Sequence, residues 1–246
     1  MPALALPALT VILPVIDEAD WLALALRAID DDPRGLEVIV VDGGSRDRTL
    51  QVVAEEAPAL AARGIPLRAG RAAPGRAIQM NAGAAVAAGS ALLFLHADTQ
   101  LPRGAAGAVL DALRRPEVVG GAFRHRFTEP GVGLRLISAG SNLRARCRGT
   151  LYGDQALFVR RDVFAALGGF RPLPIFEDAD LSARLRATGR LVLLPLAVRT
   201  SARRYLRGGV ARTLVEMTRL KLAYSRGRDP VALARRYGNG AGRAGA

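Results

Sequence analysis

The sequence predicts an α/β fold: a mostly parallel β-sheet flanked by helices, with a basic helical segment at the C-terminal end. Three observations carry that prediction. Short apolar runs alternate with stretches of helical periodicity through the N-terminal part of the chain. The runs are near-continuous rather than alternating, as expected of strands buried on both faces. Successive runs are separated by enough chain for a helical crossover, which makes neighbouring strands parallel and their connections right-handed.

The elements follow in order. Leu9 to Leu13 is a β-branched apolar run that Pro14 is expected to end. Glu18 to Ile29 places Trp21, Leu22, Ala25 and Ile29 at helical spacing. Glu37 to Val41 reads as a buried parallel strand ending at Asp42-Gly-Gly-Ser45. Asp47 to Ala62 is a helix, Ile65 to Ala69 a strand, Arg76 to Ala88 a helix, and Ala91 to Leu95 a strand ending at His96-Ala-Asp98. The second half is less regular. Strands are expected at Val118–Phe127, Ala156–Val159 and Leu191–Leu194. Helices are expected at Gly133–Ala145, from Asp162, at Phe176–Ala187 and at Val210–Tyr224, before a frayed Gly/Ala-rich tail from Asn239 to Ala246.

The chain has 246 residues, 50% hydrophobic and 23% charged, which excludes a disordered chain and fits one large domain. One cysteine, Cys147, excludes a disulfide framework. With only His96 and His125 as imidazoles, any metal needs oxygen ligands. The net charge is +13, carried as −3 by residues 1–123 and +16 by residues 124–246. A basic half implies an anionic partner: phosphates, nucleic acid or a membrane surface. There are 34 Arg and a single Lys, Lys221, as high-GC coding would produce. No run of 18 apolar residues exists, so neither a membrane span nor an export signal is expected. The expected compartment is the cytoplasm, with peripheral contact at the inner membrane face through the amphipathic 210–224 segment as a second expectation.

In parallel α/β sheets ligands bind at the carboxyl ends of the strands. Acids fall there three times: Asp17 and Glu18, then Asp42, then Asp98. Asp42 before Gly43-Gly44 can accept hydrogen bonds from a base or ribose, with Ser45 left to cap the following helix. Asp98 can hold Mg2+ or Mn2+ against substrate phosphates, or cap the next segment. Glu177-Asp178-Ala179-Asp180 either complements a helix dipole or keeps one carboxylate as a general base. Arg76, beside Gln79 and Asn81 after Pro74-Gly75, can contact phosphate.

The ordered set of motifs resembles the inverting family-2 glycosyltransferases of the GT-A fold, a Rossmann-like α/β architecture. The matching stretches are Thr10–Glu18, Val40–Thr49, Leu95–Asp98, Arg160–Phe170 and Glu177–Arg186. Arg76–Gly83, Gly153-Asp-Gln155 and Ser201-Ala-Arg-Arg204 are closest to the subgroup called arsenosugar-biosynthesis-type glycosyltransferases. The resemblance implies a glycosyltransferase domain over residues 1–205 and a helical extension and tail over 206–246. It implies a nucleotide pocket lined by Pro14, Val15, Glu18, Asp42, Gly43, Arg76 and Asp98. Asp98 would hold a Mn2+ or Mg2+ ion, and Asp178, with Glu177, would be the catalytic base. Asp154, Gln155, Arg203 and Arg204 would shape the acceptor side or cover the diphosphate.

Three positions depart from the family pattern: His96 stands at the first acid of the DxD signature, Asp17 at the usual Asn, and Arg204-Tyr205 at the Arg-Trp of processive relatives. The expected activity is non-processive transfer from a nucleotide-diphosphate sugar, UDP-linked by default, to the hydroxyl of an unidentified acceptor, anionic or lipid-linked. Three other readings compete. A transferase fold used only to bind sugar nucleotides is disfavoured by the joint presence of Asp42, Asp98 and Asp178. A sugar-1-phosphate nucleotidyltransferase would need a Gly-rich basic loop that residues 9–20 lack. A nucleic-acid-binding protein is disfavoured by 12 aromatics and no stacking motif.

Overall fold

The computed structural model describes residues 8–241. Eight strands form one sheet in the order β3-β2-β1-β4-β7-β6-β8-β5. The first half is as expected: β1 (Leu9–Val15), β2 (Leu36–Asp42), β3 (Leu67–Arg71) and β4 (Ala91–Phe94) are mutually parallel. Their crossovers are α1 (Ala19–Arg27), α2 (Thr49–Ala61) and α3 (Arg76–Ala85). Alternate residues of β1 serve opposite cores. Leu9, Val11, Leu13 and Val15 pack with α1, α2 and α4 (Ala105–Leu113), whereas Ile12 packs with α3 and, beyond it, α6 (Arg161–Ala166) and α7 (Glu177–Arg186).

Pro14 does not end β1. Ile12 accepts from Leu95 and Val15 accepts from Gly43, so even residues face β4 and odd residues face β2. The missing N–H of Pro14 therefore lies on the β4 side, past the last pair Ile12↔Phe94, where no ladder bond is lost. β3 starts two residues later than expected, and Ser45 does not cap α2, which begins after Arg48. Its hydroxyl donates to Asp42 Oδ1 instead, and Asp47 Oδ1 accepts the Thr49 N–H.

The second half turns the sheet mixed. β7 (Phe158–Arg160) runs antiparallel to β4 and to β6 (Val118–Phe127). β8 (Arg190–Thr200) lies parallel to β6 and reaches well beyond the expected Leu194. Pro195 is accommodated because the register jumps there, Phe123↔Leu194 being followed by Arg124↔Ala197. The two-residue β5 (Thr99–Gln100), α4 and α8 (Arg203–Gly208) were not foreseen.

α5 (Val132–Arg148) packs behind β6, and α9 (Val210–Ser225) and α10 (Pro230–Ala241) close the C-terminal side. There Met217, Leu220 and Tyr224 of α9 and Leu233 of α10 pack on Ile175 and Phe176. The frayed tail expected from Asn239 meets a helix as far as Ala241, and its remainder lies outside the described residues. Among the described residues no helix is long and apolar enough to cross a membrane.

Candidate active site

The carboxyl ends of β1 and β4 open into a cleft of about 570 Å3, closed on the other side by Gly75 and Arg76, Tyr152–Asp154, Asp178, Arg203–Tyr205 and α9. A second cavity of about 660 Å3 lies at the opposite end of these strands, beside Ser90 and Ala91. Its Arg34 and Arg160 already pair with Asp32 and Asp162, whereas the first cleft is lined by Glu18, His125 and Asp154, each with a buried polar atom that makes no hydrogen bond.

The rim after β1 is stitched to the loop after β2. Asp17, at φ 52°, donates its N–H to Ser45 Oγ and accepts from Arg46 N at 2.7 Å. Glu18 N–H donates to Thr49 Oγ1 at 2.9 Å. Gln79 of α3 donates from Nε2 to both Val15 O and Val41 O, at 2.9 and 2.8 Å, and ties together the ends of β1 and β2. Asn81, on the same helix, clamps Phe170 through one accepted and one donated backbone bond.

Arg203 Nη2 lies 2.6 Å from Glu18 Oε1 and 3.2 Å from Asp98 Oδ2, with its guanidinium over the Trp21 ring. One cation thus bridges the tips of β1 and β4. Burial raises the Asp98 carboxyl, against the pull of Arg203. Burial and then Arg76 push His96 down to about 3, so its imidazole is neutral. Among the described residues no three His, Cys, Asp or Glu side chains converge as a metal cage. Asp98 alone still suits a Mg2+ or Mn2+ ion that takes its other oxygens from substrate phosphates and water.

Opposite stands the head of α7. Phe176, at φ 67°, turns the chain into this helix so that the two acids diverge. Glu177 is buried and pairs through Oε1 with Arg76 Nε at 2.9 Å. Asp178 faces the cleft, its Oδ2 accepting from Gly153 N at 2.6 Å and its Oδ1 from Ala179 N at 2.6 Å. Burial and then Glu177 lift its carboxyl to about 7. A Cβ on Gly153 would lie 2.4 Å from His96 Nε2 and 3.4 Å from Asp178 Oδ2, so only glycine lets the backbone come this close.

The family model for glycosyl transferase family 2 matches residues 10–167, from β1 through α6. The chain belongs to this family. Similar solved structures include Staphylococcus aureus TarS 1-349, at 18% identity and TM-score 0.59, covering 78% of this chain and 60% of that one. Another is the mannosyltransferase PcManGT from Pyrobaculum calidifontis, solved with GDP-Man and Mn2+, at 22% identity and TM-score 0.67. That match covers 87% of this chain and 64% of PcManGT, so the chain spans less than two thirds of either. These likenesses are to the GT-A fold. No curated protein matches the sequence.

In this member of glycosyl transferase family 2 the cleft brings together Pro14, Val15, Glu18, Arg76, Asp98, Asp154, Asp178, Arg203 and Arg204. It does not bring four other expected residues to its lining. Gln155 is fully buried, holding Phe123 O and Arg144 behind the wall. Glu177 faces Arg76 from beneath. Gly43 is packed under Ile16 and Gln79. Asp42 is 1% exposed, with Oδ1 taken by Ser45 and Oδ2 left without a hydrogen bond. The lining also includes His125, Tyr152 and Lys221, which motif reading passed over. Only Lys221 carried a signal: it is the one Lys beside 34 Arg. Asp178, Arg203 and Lys221 all lie beyond the matched residues 10–167.

Proposed function

We propose that the protein is a non-processive, inverting glycosyltransferase that moves a sugar from a nucleotide-diphosphate donor, UDP-linked by default, to an acceptor hydroxyl. The observation that carries this reading is Asp178: a cleft carboxylate raised to about 7, the range a general base needs at neutral pH. The acceptor hydroxyl gives its proton to Asp178 while its oxygen attacks the anomeric carbon. The bond from that carbon to the diphosphate breaks, and the electron pair leaves on the β-phosphate oxygen. Attack opposite the leaving group inverts the configuration. Arg76 and Arg203 offset the charge that develops there. Asp98 would hold a Mn2+ or Mg2+ ion, which supplies further charge neutralisation of the diphosphate. Pro14 to Glu18 would line the nucleotide, and Asp42 Oδ2, which makes no hydrogen bond and has only Arg71 Nε at 3.8 Å, is the group left to accept from a base. The subgroup likeness to arsenosugar-type transferases is retained as kinship without a substrate.

A thermal-shift screen of UDP, GDP, CMP and dTDP and their sugar conjugates, with and without Mn2+, tests the reading. Selective stabilisation by one diphosphate, by about 2.7 kcal/mol at a hundredfold excess over Kd, is expected. No shift with any of them would overturn it.

For localisation we propose a cytoplasmic protein held peripherally at the inner membrane face. Of the exposed apolar side chains, Leu214, Val215 and Leu222 are on the 210–224 segment and a second group is on α5. Val132, Leu136 and Leu143 are exposed along one face of α5, flanked by Arg135 and Arg146. Flotation with vesicles containing phosphatidylglycerol is expected, abolished by Leu136→Glu and weakened by salt. Absence of flotation at low salt would remove the membrane from the account.

A further inference from the structure

Lys221 reaches into the cleft from α9, and its ammonium lies 4.2 Å from the centre of the Tyr152 ring. Arg144 already lies over the same ring at 4.3 Å and is held by Thr150 O and Gln155 Oε1. Arg76 has Glu177, and Arg203 has Glu18 and Asp98. Lys221 has no carboxylate within ion-pair distance among the described residues; the nearest charges it feels are Asp154, Arg144 and Asp178.

Two further groups beside it are buried without a hydrogen bond: Asp154 Oδ1 and His125 Nε2. The imidazole is only 2% exposed and cannot turn away. Its Nδ1 is tied to Ser138 Oγ at 3.1 Å, and its backbone is held by Asn142 through two hydrogen bonds. Asp154 is fixed by the Gly153–Gln155 turn, whose first N–H donates to Asp178. Two unsatisfied buried groups and a lysine without a carboxylate therefore border the cleft beside the group read above as the base. Buried polar atoms left unpaired cost about 1–3 kcal/mol each, so a fixed pair of them beside a movable cation marks a place for a ligand.

We propose that Lys221, His125 and Asp154 form an acceptor subsite for a small acidic polyol, one carrying both a free hydroxyl and a carboxylate or phosphate group. A ligand hydroxyl donates to Asp154 Oδ1, a neighbouring oxygen meets His125 Nε2, and the anionic group pairs with Lys221. A compact ammonium on a flexible stem can leave the Tyr152 face to meet either anion, whereas a planar guanidinium stacks there as Arg144 does. The place read above for the donor diphosphate, where Arg203 bridges Glu18 and Asp98, is built from a different set of side chains. The inference rests on the transferase reading for what the subsite serves, and on geometry alone for what it binds.

The test is calorimetric titration of the full chain with D-glycerate, glycerol 3-phosphate and glycerol, each with and without UDP. At least one acidic probe is expected to bind about tenfold or more tightly than glycerol, a difference of roughly 1.4 kcal/mol. Which one does so separates carboxylate from phosphate recognition. Lys221→Gln is expected to erase that preference and leave the UDP Kd unchanged, Lys221→Arg to retain part of it, and Asp154→Asn to weaken all three probes. Glycerol binding as tightly as both acids, or no binding by any probe, overturns the proposal. So does a loss of UDP affinity in Lys221→Gln as large as the loss for the acid, which would make this a donor-side lysine. Failure of the transferase reading looks different: no nucleotide binds, while the acid preference and its dependence on Lys221 are still measured without UDP.

Discussion

Asp178 accepts two backbone N–H bonds, each of which favours its charged form, and is nevertheless raised to about 7. Burial and Glu177 outweigh those bonds and Arg76. The group must be ionised to take a proton, so activity is expected to fall as pH drops below about 7. Glu177→Gln removes the like charge and moves that acidic limb to lower pH, measured as the pH profile of kcat. Asp178→Asn is expected to lower turnover by about 10²–10⁴-fold and leave nucleotide affinity intact. The same shift has a stability sign. A carboxyl raised on folding stabilises most below its unfolded value near 3.8 and loses that contribution as pH climbs to about 7. The Tm of the wild type minus that of Asp178→Asn should therefore fall between pH 5 and pH 8. At Arg203, substitution by Gln leaves Glu18 and Asp98 facing each other without a cation. Nucleotide binding by that variant is expected to depend far more steeply on Mn2+ than that of the wild type, as read by titration. Motif order was enough to find Asp98, Asp178 and Arg203. The resemblance named Asp178 as the base with Glu177 beside it, but not that Glu177 turns from the cleft to Arg76, because neighbouring helical side chains point about 100° apart and only the tertiary setting fixes where each one lies.

Among the elements, β1, β2 and β4 were legible as apolar runs, and β3, the mostly exposed edge strand, by its place between two helical periods. β8 was legible only as Leu191–Leu194, because Pro195 reads as a break until the register jump at Phe123 gives it a bulge. β5 has two residues and α8 six, too short for a period to register. The middle of the sheet depends on a feature visible only in three dimensions. At Gly121 an added Cβ would stand 2.2 Å from Val192 O and 2.6 Å from the Phe158 ring. Gly121→Ala must push β8 away, and a loss of at least about 1–3 kcal/mol is expected in urea unfolding. Asn81→Ala removes both bonds that hold Phe170 to α3, and should cost about 1–3 kcal/mol while leaving the cleft side chains in place.

At the scale of the whole molecule, the basic second half of the sequence shows in two places. Arg203, Arg204 and Lys221 join Arg76 at the cleft, and Arg135 and Arg146 flank the exposed apolar face of α5. The Phe176 ring stacks on Tyr224 of α9 at 4.7 Å, and its left-handed backbone stands at the head of the helix bearing Asp178. Such a bulky residue at positive φ carries strain of about 1–3 kcal/mol, so its partner from the far end of the chain helps hold it there. This gives the molecule an order of assembly in time. The parallel half is complete once β4 has been made, but Phe176 has no Tyr224 to lean on until α9 follows. During refolding, recovery of sheet structure, read by circular dichroism, should therefore run ahead of recovery of any activity that depends on Asp178, and a growing chain has its scaffold before its chemistry.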